Sequence, residues 1–148
     1  METYDVFHDV LVNLFHEIMD IEEKAIITSE FKDISVNDMH ILEAIGVNNS
    51  RNMSAVAKIM SVTVGTLTIA INSLVKKGYV SRVRSEADRR VVLISLTEKG
   101  ERAHAHHMKF HDGMIQALMK DLTEEQQRIL VKALQNLRGF FDSYKNSK

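Results

Sequence analysis

The chain has 148 residues, 45% of them hydrophobic, and a formal net charge of -1 from 19 Lys and Arg against 20 Asp and Glu. That is one ordinary domain's length with enough apolar material for a core. It contains no Cys, which excludes disulfides, thiolate zinc fingers, iron–sulfur ligation and thiol redox sensing. It also contains no Pro, where an average usage of about 5% gives roughly seven, so long helices are favoured over a turn-rich sandwich. No apolar run approaches the roughly 20 residues of a membrane span, and the N-terminus is acidic where a signal peptide is basic. A cytoplasmic protein with no membrane partner is expected.

The near-neutral sum hides a division along the chain. Residues 1–50 carry 2 basic and 11 acidic groups, residues 51–90 carry 8 basic and 2 acidic groups, and residues 91–148 carry 9 basic and 7 acidic groups. A basic middle between acidic and near-neutral flanks is the asymmetry of a polyanion-binding surface.

In chain order, residues 3–28 read as one long helix, with Val6, Val10, Leu14 and Ile18 in one row and Phe7, Leu11, Phe15 and Met19 beside it. The stretch Phe31 to Ile34 breaks that pattern. Ser35 and Asp38 then form a capping-box-like start, followed by Val36, Met39, Leu42 and Ile45 at helical spacing. Gly46 to Asn52 reads as a polar turn. A short helix is expected over 53–60, with Asn52 as its N-cap, and after a tight connection Thr63 caps a helix over 64–77. In that helix Leu67, Ile71 and Leu74 face inward, and Gly78 suits the left-handed position that ends it. Tyr79 to Arg84 and Arg90 to Leu96 read as two strands of a hairpin turning at Ser85 to Asp88. Thr97 caps a helix reaching about Lys120, and Leu122-Thr123 with Gln126 starts the last, whose apolar side carries Ile129, Leu130, Leu134, Leu137, Phe140 and Phe141. The expected fold is mainly α with a small β-hairpin wing, in the order α-α-α-α-β-β-α-α.

Two short helices joined by a tight turn and followed by a hairpin form a winged helix-turn-helix, whose second helix enters the major groove of double-stranded DNA. With its apolar row turned inward, that helix shows Thr63, Val64, Gly65, Thr66, Thr68, Ile69 and Asn72. Gly65 permits close backbone approach, Thr methyls suit thymine methyls, and Asn72 is placed to pair with adenine. The face has no Arg for guanine, so an A·T-rich operator is expected. Lys76 and Lys77 at the far end are expected on phosphates. On the hairpin Arg82, Arg84, Arg89 and Arg90 suit a narrow minor groove. Asp88 repels phosphate, and its useful role is to orient a neighbouring Arg.

The runs Gly78-Tyr79-Val80-Ser81-Arg82, Asp88-Arg89-Arg90 and Leu96-Thr97-Glu98-Lys99-Gly100 resemble the MarR family of transcriptional regulators at the right spacing, and the whole length fits. The resemblance implies an intertwined homodimer: residues 1–34 and 98–148 supply the dimerisation helices, and residues 35–97 the DNA-binding lobe. The long apolar faces at both ends agree with it.

Two features bear on the signal. Arg82 to Val92, with Phe31 to Ser35, Met39-His40 and Phe110-His111, resembles the fatty-acid-synthesis repressors of Gram-positive bacteria, a likeness that implies acyl-acyl carrier protein as corepressor. Ile21, Ile27, Phe31, Ile34, Met39, His40, Met108, Phe110, His111, Met114 and Ile115 are then candidates to line an acyl tunnel, Met being an adaptable liner. Arg102 and Lys109 are candidate docking charges for an acidic carrier. The alternative is histidine chemistry. His107 and His111 are four apart, a spacing that brings two imidazoles to one metal. With His40 and Glu22 or Glu23 they resemble the zinc-responsive members of the same family. No resident cofactor is expected otherwise. Neither a phosphate-cradling Gly loop nor a G-x-S-x-G elbow occurs, and no enzymatic activity is expected.

Overall fold

The computed structural model describes residues 2–28 and 30–146. Its first helical stretch is α1 (Thr3–Asp9), a π-helical turn (Val10–Leu14) and α2 (Phe15–Ile26). The single long helix expected here is therefore interrupted by one π-helical turn. It also ends earlier, with Ile27 already extended at φ -76° and ψ 109°.

The helix α3 (Val36–Ile45) starts as its sequence implies. The Ser35 hydroxyl accepts from the Asp38 amide at 3.0 Å, and the Asp38 carboxylate accepts from the Ser35 amide at 3.1 Å. Next comes β1 (Arg51–Asn52), where the sequence suggested only a turn. Two polar residues carry no alternation, and the strand exists only because Arg51 and Asn52 pair antiparallel with Ile94 and Leu93. The helix-turn-helix is α4 (Met53–Met60) and α5 (Val64–Lys77), whose axes differ by 105°. Ser61, in the left-handed region at φ 56°, makes the corner. Asn52 and Thr63 cap the two helices, accepting from Ala55 and Thr66 amides at 2.8 and 3.1 Å. Gly78 ends α5 at φ 89°, a backbone conformation that favours glycine.

The wing is β2 (Val80–Arg84) and β3 (Val92–Leu96), in antiparallel register with Arg82 opposite Ile94. The sheet has three strands in the order β1-β3-β2. The second wing strand starts two residues later than its hydrophobic run suggested, because residues 85–91 are held in the tip by bonds from the Ser85 amide to Val91 and from the Val91 amide to Asp88. The helices α6 (Glu98–Met119) and α7 (Glu124–Lys145) follow. Among the described residues no single helix is long and apolar enough to cross a membrane.

The chain divides into two units, one ending at Phe110 and the other beginning at His111. The core belongs to the first. Leu42, Val56, Leu67, Ile71, Leu74, Tyr79 and Ile94 are at most 1% exposed, and burying each aliphatic side chain contributes about 1.5–3 kcal/mol before entropy. In the second unit α7 begins with a Thr123–Gln126 capping box and buries none of its side chains. Phe140 meets Phe141 and Tyr144 edge-on at 5.3 and 5.1 Å between ring centres.

Candidate nucleic-acid interface

The exposed face of α5 is held by bonds within the helix. Thr63 accepts from the Thr66 amide at 3.1 Å and donates to the Thr66 hydroxyl at 3.0 Å. The Thr68 hydroxyl donates back to the Val64 carbonyl at 2.7 Å. Val64, Gly65, Thr66 and Ile69 are exposed, Ile69 by 74%. Asn72 lies two turns after Val64, and its side-chain oxygen accepts from Arg82 Nη1 on β2 at 2.5 Å. The Asn72 carboxamide is therefore tied to the wing by its acceptor end. Lys76 is exposed. The Lys77 ammonium donates to the Asp33 carbonyl, in the loop before α3, at 2.5 Å.

At the wing tip Asp88 has the orienting role its charge suggested. Its Oδ1 accepts from Arg90 Nε and its Oδ2 from Arg90 Nη2, both at 3.1 Å. Oδ1 also accepts from the Arg90 amide at 3.1 Å. These bonds hold the Asp88 carboxyl below its ordinary pKa, the Arg90 side chain contributing most. Arg90 keeps a 91% exposed side chain, and Arg84 Nη1 braces the tip by donating to the Arg89 carbonyl at 2.9 Å. Arg89 is exposed. Between α5 and the wing lies a cleft of about 700 Å³ lined by Val64, Thr68, Arg82, Arg84 and Arg90, and also by Asn52, Met53 and Ser54. The last three were not singled out in the sequence as surface groups. The clue was the position of Asn52: a cap at the start of the first helix of the motif borders the same cleft as the wing.

A second cluster joins this head to the preceding loop. The buried Tyr79 hydroxyl donates to Asp33 Oδ1 at 2.6 Å, with Lys99 Nζ 4.4 Å from the ring centre. Burial first, and the Asp33 bond second, push the Tyr79 phenol well above its ordinary pKa. The same bond is the largest influence lowering that of Asp33. Lys99 also donates to the Lys77 carbonyl at 3.1 Å, and the Thr97 hydroxyl to that of Gly78 at 2.5 Å.

The candidate effector residues are divided. Phe31, Ile34 and Met39, expected along a tunnel, are built into the core at 4%, 4% and 0% exposure. Phe31 stands between the rings of Tyr79 and His106, at 6.4 and 5.7 Å. Ile21, Ile27 and His40 are exposed, and Met108 and Phe110 are half-buried. In the second unit His111 is half-buried and Met114 and Ile115 are exposed. Arg102 is ion-paired with Glu30 at 2.8 Å and with Glu98 at 3.5 Å, while Lys109 is exposed. Of the two acids offered as metal ligands, Glu22 is the one that meets histidine: its Oε1 is 2.6 Å from Nε2 of the buried His107. Since a carboxylate only accepts, Nε2 carries the proton. The His40 ring lies 6.2 Å from that of His107, and Glu23 is exposed.

The fold of this chain recurs in a series of solved regulators. Residues 24–108 match the family model of the transcriptional regulators SarA/Rot. The chain belongs to this family. The structure of FabT from Streptococcus pneumoniae in complex with DNA is 39% identical, covers 95% of this chain and 99% of that one, and superposes with a TM-score of 0.84. The MarR family regulator SP03579, at 14% identity and TM-score 0.76 over 99% of this chain and 96% of that one, shares the fold. Among curated proteins, the HTH-type regulator YpoP of Bacillus subtilis is 32% identical over 75 residues, 51% of this chain and 53% of its own length. The repressor YetL of the same organism is 32% identical over 81 residues, 55% of this chain and 48% of its own. The match thus spans about half the length of these curated relatives. SP03579, YpoP and YetL are transcriptional regulators by name, and FabT is seen bound to DNA.

Proposed function

We propose that this regulator represses fatty-acid synthesis genes by binding an A·T-rich pseudo-palindrome as a homodimer, with long-chain acyl-acyl carrier protein as corepressor. The carrying observation is the α5–wing cleft, where Arg84 and Arg90 stand beside a helix face of small and methyl-bearing side chains. Such a face suits thymine methyls and a narrow minor groove. The exposed apolar rows of α1, α2 and α7 support the homodimer, with Phe7, Phe15 and Phe141 at 61%, 61% and 55% exposure. The acyl reading rests on the likeness of residues 31–40 and 82–92 to the lipid-responsive repressors. In it Lys109 meets the acidic carrier directly, and Arg102 does so by exchanging Glu30 for a carrier carboxylate.

A second reading, zinc as the signal, is favoured by one observation: Glu22 and His107 meet at 2.6 Å with the His40 ring beside them. One paired titration separates the two. A duplex selected from a random pool is followed by fluorescence anisotropy while long-chain acyl-acyl carrier protein or Zn²⁺ is added. Tightening by the acyl protein alone supports the first reading, and tightening by Zn²⁺ alone replaces it with the second. Without either, affinity must still fall steeply with salt, by about 0.9 log units per log unit for each phosphate neutralised.

A further inference from the structure

Asn72 is the one carboxamide among the exposed side chains of α5 described above, and that makes its orientation consequential. Thr63, Thr66 and Thr68 are joined to one another or to the helix backbone. A carboxamide can present either its oxygen or its NH2 edge to a base, and the choice changes what it reads: oxygen matches a donor such as an exocyclic amine, NH2 matches acceptors such as O4 of thymine, O6 or N7 of guanine, or N7 of adenine. Free in solution the two edges exchange by rotation about the last side-chain bond. Here they do not exchange freely, because the Asn72 oxygen accepts from Arg82 Nη1 at 2.5 Å and a guanidinium can only donate. Arg82 is itself placed by strand register, opposite the buried Ile94 at the middle of the wing.

We propose that Arg82 is a positioning residue for base recognition: from the wing it fixes the Asn72 carboxamide with its oxygen towards β2 and its NH2 presented as the donor. The inference rests on the DNA-binding function of α5 and refines it. The wing then does more than hold phosphates, since one of its arginines sets which chemical edge the recognition helix shows. Arg82 differs in this from Arg90, whose partner Asp88 belongs to the wing itself.

A phosphate contact and a positioning residue leave different traces, and a double-mutant cycle reads them. Arg82→Ala, Asn72→Ala and the double variant are compared on two duplexes, one selected by the parent chain from a random pool and one a scramble of the same composition, each at several salt concentrations. Arg82→Ala should weaken binding to the selected duplex about tenfold, in the range expected for loss of a directed base contact. On the scrambled duplex the change should stay within about twofold, and the salt slope should be kept. In the Asn72→Ala background, Arg82→Ala should cost nothing further. Equal losses on both duplexes with the slope reduced by about 0.9 would make Arg82 an ordinary phosphate contact and overturn the proposal. Additive losses on the selected duplex would overturn it as well. If the parent chain itself prefers no duplex, what fails is the DNA-reading function beneath the inference, and the scrambled-duplex arm distinguishes the two failures.

Discussion

The reading head and the helices that flank it follow opposite rules of burial. Between Val36 and Leu96 the side chains of Leu42, Ile45, Val56, Ile71, Leu74, Tyr79 and Ile94 are fully covered, in a core that Ile26, Phe31, Ile34 and Ala103 complete from the flanks. The flanking helices are as apolar along one side, yet Phe7, Leu11, Phe15, Met19, Ile129, Leu134 and Phe141 are about half exposed or more. The hydrophobic effect is the same in both places, so the difference lies in what is available to cover the apolar row. The apolar rows of the flanks stay uncovered within one chain, which is the reason a homodimer belongs to the proposed function.

The strongest way to break this contrast is to charge one flank. Leu134→Asp with Phe141→Asp should abolish dimerisation in sedimentation experiments and weaken binding to the selected duplex by on the order of 100-fold, because two half-sites are no longer bound by one particle. A dimer that survives both charges would show that α7 is not part of the covered surface. Where α6 meets the head, Gly100→Ala should be costly. A Cβ there would lie 2.1 Å from the Tyr79 carbonyl oxygen, so backbone has to move, at about 1–3 kcal/mol, and a melting temperature equal to the parent's would refute the close approach.

Tyr79→Phe is a smaller test, about 1 kcal/mol at neutral pH for the lost Asp33 bond, and its pH dependence has a definite sign. The Tyr79 bond holds the Asp33 carboxyl below its ordinary 3.8. Its contribution is therefore full above pH 3.8 and is lost as pH falls through the lower value of the folded state. The gap in stability between parent and variant should narrow in acid, and a gap that widens there would place the bond elsewhere. The smallest effects belong to the two capping boxes, one in each unit. Ser35→Ala and Thr123→Ala should each cost about 1 kcal/mol or less. The first should lower the melting temperature at every protein concentration, and the second should make it depend more on concentration.

Much of the head was legible because its signals are local. Ser35, Asn52 and Thr63 each stand where a cap is needed, Leu67, Ile71 and Leu74 mark one side of α5, and the wing announces itself by a change of period. The pairing of Asp88 with an arginine followed from charge alone, the acid being useful near DNA only if it is already engaged. What escaped was long-range. Strand β1 is two residues that become a strand only by meeting β3. Lys77 stands beside Lys76, and nothing local marks its bond to a carbonyl 44 positions earlier. Phe31, Ile34 and Met39 carry apolar volume that serves a core or an acyl tunnel alike, and no local pattern marked how deeply they are buried. The bond between Arg82 and Asn72 spans 10 residues and two elements, and no periodicity marks it.

The π-helical turn at Val10–Leu14 has a geometric consequence for the first flank. One extra residue in a turn rotates everything after it by about 100° relative to an unbroken α-helix, whose residues are spaced at 3.6 per turn. The row drawn through Val6, Val10, Leu14 and Ile18 is therefore no straight stripe, and burial agrees: the first three are exposed while Ile18 is half-covered. The leading helix offers two facets that meet at an angle. Whatever lies against it must bend around that corner or touch only one side of it.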